Sequence, residues 1–436
     1  MKPLKETSMK RVVSRGMKPL ALAVACSSLF SAHGVFAQSK SIKIGIVTFM
    51  SGAAAGPFGV PAKHAAEVVT ADLNDGKVPA PYTTKGFGGT PIELVYVDEA
   101  GSTSKQVSEY RNLINQGVDY VVGYTSSGNC LAVAPVAEEM KKVTLLFDCG
   151  TPRVFEDASY KYVFRPVATA TMDNVGAARY VAWRKPDLAT YAGINQNYAW
   201  GQDAWNDFGE TLKVLKPNAK AVSSQMPNLG AGQYNAEISS LLGAHPDVLH
   251  SSFWGGDLEG LIVQAGPRDL FKKSLTVLTA GETAAHGKTR LPDGVILGAR
   301  GMYGMFAPDN ALNHWLRASY SAKFADTPSY PSYKMTQSLL GLKAAYEKAQ
   351  AANGGKQPSP EQVITAFEHL SFDSPAGKIN LSLGNGHQAA QGTAFGIVKN
   401  VNGAVTVTDV KQYSVDEVTP PPGVKSADWI KGGLKH

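Results

Sequence analysis

The stretch Tyr120-Val121-Val122-Gly123-Tyr124-Thr125-Ser126-Ser127-Gly128-Asn129-Cys130 constrains this chain more than any other. A short apolar run ends in a polar, glycine-containing turn, and helix-like Leu131 to Lys142 follows at once. That order predicts a buried parallel strand feeding a helix. The turn falls at the strand's carboxyl end, where open α/β sheets hold ligands. Ser126, Ser127 and Gly128 put hydroxyls and free backbone N–H groups at a helix start, which suits a carboxylate or another anion.

The rest of the chain repeats the pattern. Ser41 to Phe49, Pro91 to Val97 and Val143 to Phe147 read as further strands, with helices predicted from Pro61 to Asn74 and from Thr103 to Gly117. Strands alternating with longer helices mean βαβ units and a parallel sheet. Tyr162-Val163-Phe164-Arg165-Pro166 breaks the rhythm, and a second alternation then runs through Ala189–Asn195, Ala219–Met226, Val248–Ser252, Leu275–Ala280 and Val295–Ala299. Helices at 310–324, 333–352 and 360–370 follow, and three strands near 379–383, 395–399 and 404–410 close the chain. With 436 residues, two lobes of roughly 100–200 residues each are expected.

The formal charge of +6 is misleading. Lys2, Lys5, Lys10, Arg11, Arg15 and Lys18 precede an apolar run and then Val35-Phe36-Ala37, the layout of a secretory signal cleaved after Ala37. Cys26 lacks the leucine that a lipoprotein box carries three residues earlier, so a lipid anchor is the minor reading. Loss of residues 1–37 removes six cations and Glu6, leaving +1. That charge gives no field for nucleic acid, and no later apolar run reaches the ~20 residues of a membrane span. Cys130 and Cys149 would stand at one sheet edge if their strands are neighbours; a disulfide or two buried thiols both fit.

Taken in order, IKIGIV, GPFG, YVVGYTSSG, YKYVFRP, NYAWGQD, FWGGDLEGLIVQA and TAGE resemble the type I periplasmic binding proteins, specifically the leucine/isoleucine/valine-binding family of ABC importers. The resemblance spans roughly residues 41–412. It implies a clamshell of two Rossmann-like α/β lobes with parallel central sheets, joined by three crossovers near Phe164–Pro166, Arg300–Met302 and Phe372–Gly377. The lobes would be 38–165 plus 303–373, and 166–302 plus 374–436. A periplasmic monomer is implied, handing a small amino acid to membrane permease subunits, with an aromatic carboxylate, an amide or urea as the alternative.

By the same resemblance, the carboxylate-gripping serine falls on Ser127, beside Ser126, and the second carboxylate segment on Cys149, Gly150 and Thr151. The aromatic covers fall on Trp200 and on Trp254 with Phe253, and the acid for an ammonium falls on Glu282. Tyr124 either lines the pocket floor or packs. Trp200, where branched-chain binders usually carry tyrosine, and Asp148, an acid beside the carboxylate pocket, depart from the branched-chain pattern.

Other classes find little support. No G-x-S-x-G elbow surrounds Ser126 or Ser127, and no dinucleotide or phosphate-loop fingerprint follows the first strand, so neither an enzyme nor a cofactor is expected. His245 and His250 flank Asp247 and read as surface residues rather than metal ligands.

Overall fold

The computed structural model describes residues 41–287 and 290–436; the expected signal segment lies outside the described residues. Strands β1 (Ile42–Thr48), β2 (Ile92–Asp98), β3 (Tyr120–Gly123), β4 (Thr144–Leu146) and β5 (Val163–Phe164) form one sheet in the order β2-β1-β3-β4-β5. Every pairing in it is parallel. Both faces are covered, which explains the unbroken apolar run at 120–123. Tyr120 and Val122 enter one core cluster while Val121 enters another, because successive side chains leave a strand on opposite faces.

The second sheet takes β6 (Thr190–Ile194), β7 (Lys220–Gln225), β8 (Val248–Ser251), β9 (Leu275–Leu278) and β10 (Ile296–Gly298) in parallel. Between these five and the last sheet member come β11 (Ser371–Ser374), β12 (Gly377–Leu383) and β13 (Gln388–Ala390), a small antiparallel sheet of their own. The chain then adds β14 (Thr393–Val401) and β15 (Ala404–Tyr413) to the second sheet, antiparallel, for an order β15-β14-β10-β9-β8-β6-β7. The helices Ala311–Phe324 and Tyr330–Ala352 return to the first lobe and pack on the helix Val60–Asp75. Chain is thus exchanged between two Rossmann-like lobes.

The crossing segments lie side by side. Arg165 N–H donates to His387 O at 2.8 Å, and Ala389 N–H donates to Arg165 O at 2.9 Å. Phe372–Gly377, expected as the third crossover, is instead the hairpin of β11 and β12, where Ser374 pairs with Gly377. The chain enters the second sheet only at Thr393, after Gln391 and Gly392.

His250 also departs from expectation. It sits on a central strand, so its ring is fully buried, stacked on Phe208 at 4.3 Å with Nε2 2.7 Å from Asn174 Oδ1. Burial pulls its pKa down to about 3, which keeps it neutral. Asp247 caps the sheet edge, accepting the Ala189 and Thr190 N–H groups at 3.0 and 2.9 Å.

Candidate functional site: the cleft between the lobes

The first jaw is built on the turn after β3. The helix Ser127–Glu139 begins there, but the anion at its start is internal. Glu99, one residue past β2, accepts the Thr125 and Ser126 N–H groups at 2.7 and 2.8 Å and Asn129 Nδ2 at 3.1 Å. Complete burial pushes the Glu99 carboxyl up to about 7, against the pull of these donors. Ser127 is left for other work. Its Oγ accepts the N–H groups of Gly150 and Thr151, each at 3.2 Å. A hydroxyl with both lone pairs filled keeps its proton to donate.

A Cys130–Cys149 disulfide, with Cα atoms 6.5 Å apart, ties the first turn of that helix to the loop carrying Gly150 and Thr151. The bridge exists because β3 and β4 are neighbours, which brings both cysteines to one sheet edge. Gly150 is pressed hard against the opposite jaw: a Cβ there would lie 2.4 Å from the Trp200 ring and 2.6 Å from Arg300 Nη2.

The second jaw comes from the strand ends of the other sheet. Trp200, near the start of the helix Ala199–Leu215, donates Nε1–H to Ser252 O at 2.8 Å. Trp254, just before the helix Gly255–Ala265, donates to the Tyr198 hydroxyl at 2.8 Å. The Trp254 ring also crosses the gap, meeting Phe58 edge-on at 5.0 Å and Phe49 at 5.9 Å. Thr125, Ser127, Gly150, Tyr198, Trp200, Trp254 and Arg300 line a cavity between the lobes that is shut down to about 10 Å³.

Asp203 pins the lobes further, accepting from the Thr151 hydroxyl at 2.5 Å and from Arg153 Nε at 2.8 Å. The lobes therefore stand closed on one another.

A charged cluster lies beside the cavity. The Arg300 guanidinium carbon stands over Trp200, 4.2 Å from the ring centroid, and Nη1–H donates to Asp148 at 2.7 Å. Lys334 donates to the same Asp148 oxygen at 2.9 Å, and Asp173 stands 3.5 Å from Arg300 Nε. Asp148 thus faces two cations, so its charge is compensated rather than aimed at a ligand anion. Burial holds the Asp173 carboxyl up at about 6 and the Lys334 ammonium down at about 8. Burial alone would disfavour charge on Arg300, but Asp148, Tyr330 and Asp173 outweigh it and keep the guanidinium protonated. Arg300 Nη2 has no hydrogen-bond partner among the described residues.

Of the residues singled out from sequence, Ser127, Gly150, Trp200 and Trp254 meet at the cavity. Thr151 and Cys149 sit just behind it, one on Ser127 and the other in the disulfide. Ser126 gives its N–H to Glu99. Phe253 packs edge-on to Tyr234 at 5.1 Å inside the second lobe, and Tyr124 lies in the core cluster with Tyr110 and Cys130. Glu282 is not at the cavity. Its carboxylate is buried, with one oxygen 2.8 Å from His286 Nε2 and the other accepting Tyr330 N–H at 2.9 Å. Sequence reasoning missed Thr125, Tyr198 and Arg300 as lining residues. Tyr198 was within reach, two residues from Trp200 in the same turn. Arg300 gave no local signal beyond the unexplained acid at Asp148.

A mixed α/β clamshell with its cavity at the strand ends of both lobes is the architecture of a solute-binding protein. The chain matches the model of the periplasmic binding protein family over residues 41–403, and it belongs to that family, whose members work outside the cytoplasm. Curated relatives include a leucine-, isoleucine-, valine-, threonine- and alanine-binding protein of Pseudomonas aeruginosa, 22% identical over 67% of this chain and 75% of that protein. A Leu/Ile/Val-binding protein of Escherichia coli is 23% identical over 62% of this chain and 71% of that protein. Among solved structures, a solute-binding protein of an ABC transporter from Rhodopseudomonas palustris, in complex with 3,4-dihydroxybenzoic acid, superposes with a TM-score of 0.74. It is 20% identical, covering 88% of this chain and 99% of that one. A second, from R. palustris in complex with benzoate, gives a TM-score of 0.71 at 20% identity over 84% and 95%. Among the described residues, no helix is long and apolar enough to cross a membrane.

Proposed function

We propose that the chain is the solute-capturing component of an ABC importer. It takes a small carboxylate, with a hydrophobic or aromatic amino acid as the leading class, and presents it as a monomer to the permease. One observation carries this reading: the Ser127 hydroxyl, its lone pairs filled by Gly150 and Thr151, keeps its proton for an acceptor beside two tryptophans and Arg300. A carboxylate matches a hydroxyl proton and a guanidinium N–H, and indole faces give an apolar side chain large contact area. Capture rather than turnover is the proposed role, which the absence of a base among the described residues lining the cavity beside Ser127 supports.

A second reading, an aromatic acid without an amine, draws on Glu282. Both its oxygens are engaged within the protein, which leaves an ammonium no free carboxylate there. The benzoate and dihydroxybenzoate complexes of the structural relatives point the same way. Calorimetric titration of the protein against leucine, phenylalanine, benzoate and 4-hydroxybenzoate decides. Tight binding of the amino acids supports the first reading, and of the benzoates alone the second. Turnover of any compound, or no binding of carboxylates at all, defeats both.

A further inference from the structure

A larger cavity, about 180 Å³, lies against the crossing segments. Its walls come from Pro152, Phe155 and Glu156 of the first lobe, from Arg165 and Gln388 of the crossing segments, and from the tail 420–426. The tail is drawn over it by Ser426, which donates N–H and Oγ–H to Glu156 at 3.0 and 2.5 Å, and by Lys425, 2.9 Å from Asp157.

Arg165 is the anomaly. It is completely buried, yet every partner it has is neutral. Nε donates to Gln388 Oε1, and Nη1 donates to Cys149 O at 3.2 Å and Thr151 O at 2.6 Å. Among the described residues no carboxylate comes within ion-pair distance of Arg165 and Nη2 makes no hydrogen bond; Glu156, across the same cavity, and Asp203 offset its charge only from further away. Glu156, on the same cavity, is engaged by Ser426 instead. Buried cations are normally paired, because an uncompensated charge in a low-dielectric interior is costly. A planar guanidinium with one edge open is matched by an oxyanion.

We propose that this hinge cavity is a second ligand site, in which Arg165 Nη2 binds a small oxyanion, a carboxylate or a phosphate. The apolar walls of Phe155, Leu383 and Val424 leave room for a short organic tail on that anion. The inference does not depend on what the cleft binds. It does bear on the cleft, because Arg165 holds the carbonyls of Cys149 and Thr151, the loop whose N–H groups fix Ser127.

The test uses thermal melts of the mature protein with inorganic phosphate and, separately, with acetate, each against chloride at matched ionic strength. Two variants accompany the wild type. Arg165→Gln removes the charge, and Val424→Trp fills the cavity from a residue that is 41% exposed and touches none of the Arg165 bonds. A saturable rise in Tm with either anion is expected in the wild type. Its half-saturating concentration should increase about tenfold or more in both variants, in Arg165→Gln through loss of one charge-assisted hydrogen bond and in Val424→Trp through loss of the space the anion occupies. Should Arg165→Gln fail to fold, Val424→Trp alone decides. A rise that never saturates, or one that Val424→Trp retains unchanged, overturns the proposal, as does no response to either anion.

Discussion

Replacing Gly150 by alanine isolates the closing of the cleft from the stability of the lobes. Gly150 does not occupy the left-handed backbone region, so alanine costs its own loop nothing in strain. The obstruction lies elsewhere: the added methyl meets the Trp200 ring at 2.4 Å and Arg300 Nη2 at 2.6 Å. Trp200 belongs to the second lobe, so the clash with its ring is set by the closing of the lobes. Forcing one extra methyl into a packed contact costs about 1–3 kcal/mol. Binding that requires closure should then weaken roughly 5- to 150-fold. Calorimetry with the best ligand of the panel reads that loss, and a melt of the ligand-free protein reads lobe stability. The reasoning predicts weaker binding with an unchanged ligand-free melt. Wild-type affinity in Gly150→Ala would refute it, as would a ligand-free melt lowered by the same free energy as binding.

Ser127→Ala should weaken a carboxylate ligand by about 1–3 kcal/mol in the same titration, and an unchanged affinity would move the site elsewhere. Removing the disulfide with Cys130→Ala and Cys149→Ala opens a loop of 19 residues' separation, which should lower denaturant-measured stability by about 3 kcal/mol. Asp207 is fully buried, accepts the Thr171 hydroxyl at 2.8 Å, and is pushed up to about 8 by that burial. A folded-state pKa above the unfolded one means the fold holds the proton more tightly. Stability therefore falls as pH rises from about 4 toward 8, at roughly 1.4 kcal/mol per unit. Asp207→Asn keeps an acceptor for Thr171 but loses that slope, so its Tm should exceed wild type at pH 8 and match or fall below it at pH 4. Parallel pH profiles would contradict this.

What the sequence made legible was what it writes locally. The run at 120–123 is apolar without alternation because the strand is buried on both faces, and that pattern survives in any single sequence. The turn at Ser127 and the one at Trp200 follow strands directly, so their place at the sheet edge could be read. Charges were harder. Arg300, Asp148 and Lys334 converge from positions 152 and 186 residues apart, and no spacing announces such a meeting. Glu99 filled the helix start that seemed reserved for a ligand, although it directly follows the last residue of a strand. Glu282 looked free because nothing local shows that a distant backbone N–H, that of Tyr330, would occupy it. The third crossing moved because β11 and β12 close as a hairpin before the chain changes lobes.

The account stands or falls on where a carboxylate sits. A crystal structure of the mature protein saturated with the best ligand of the panel measures it directly. The prediction is a carboxylate within hydrogen-bonding distance, about 2.5–3.2 Å, of Ser127 Oγ, with its apolar part between Trp200 and Trp254. A ligand bound anywhere else, with the Ser127 cavity empty, would contradict it.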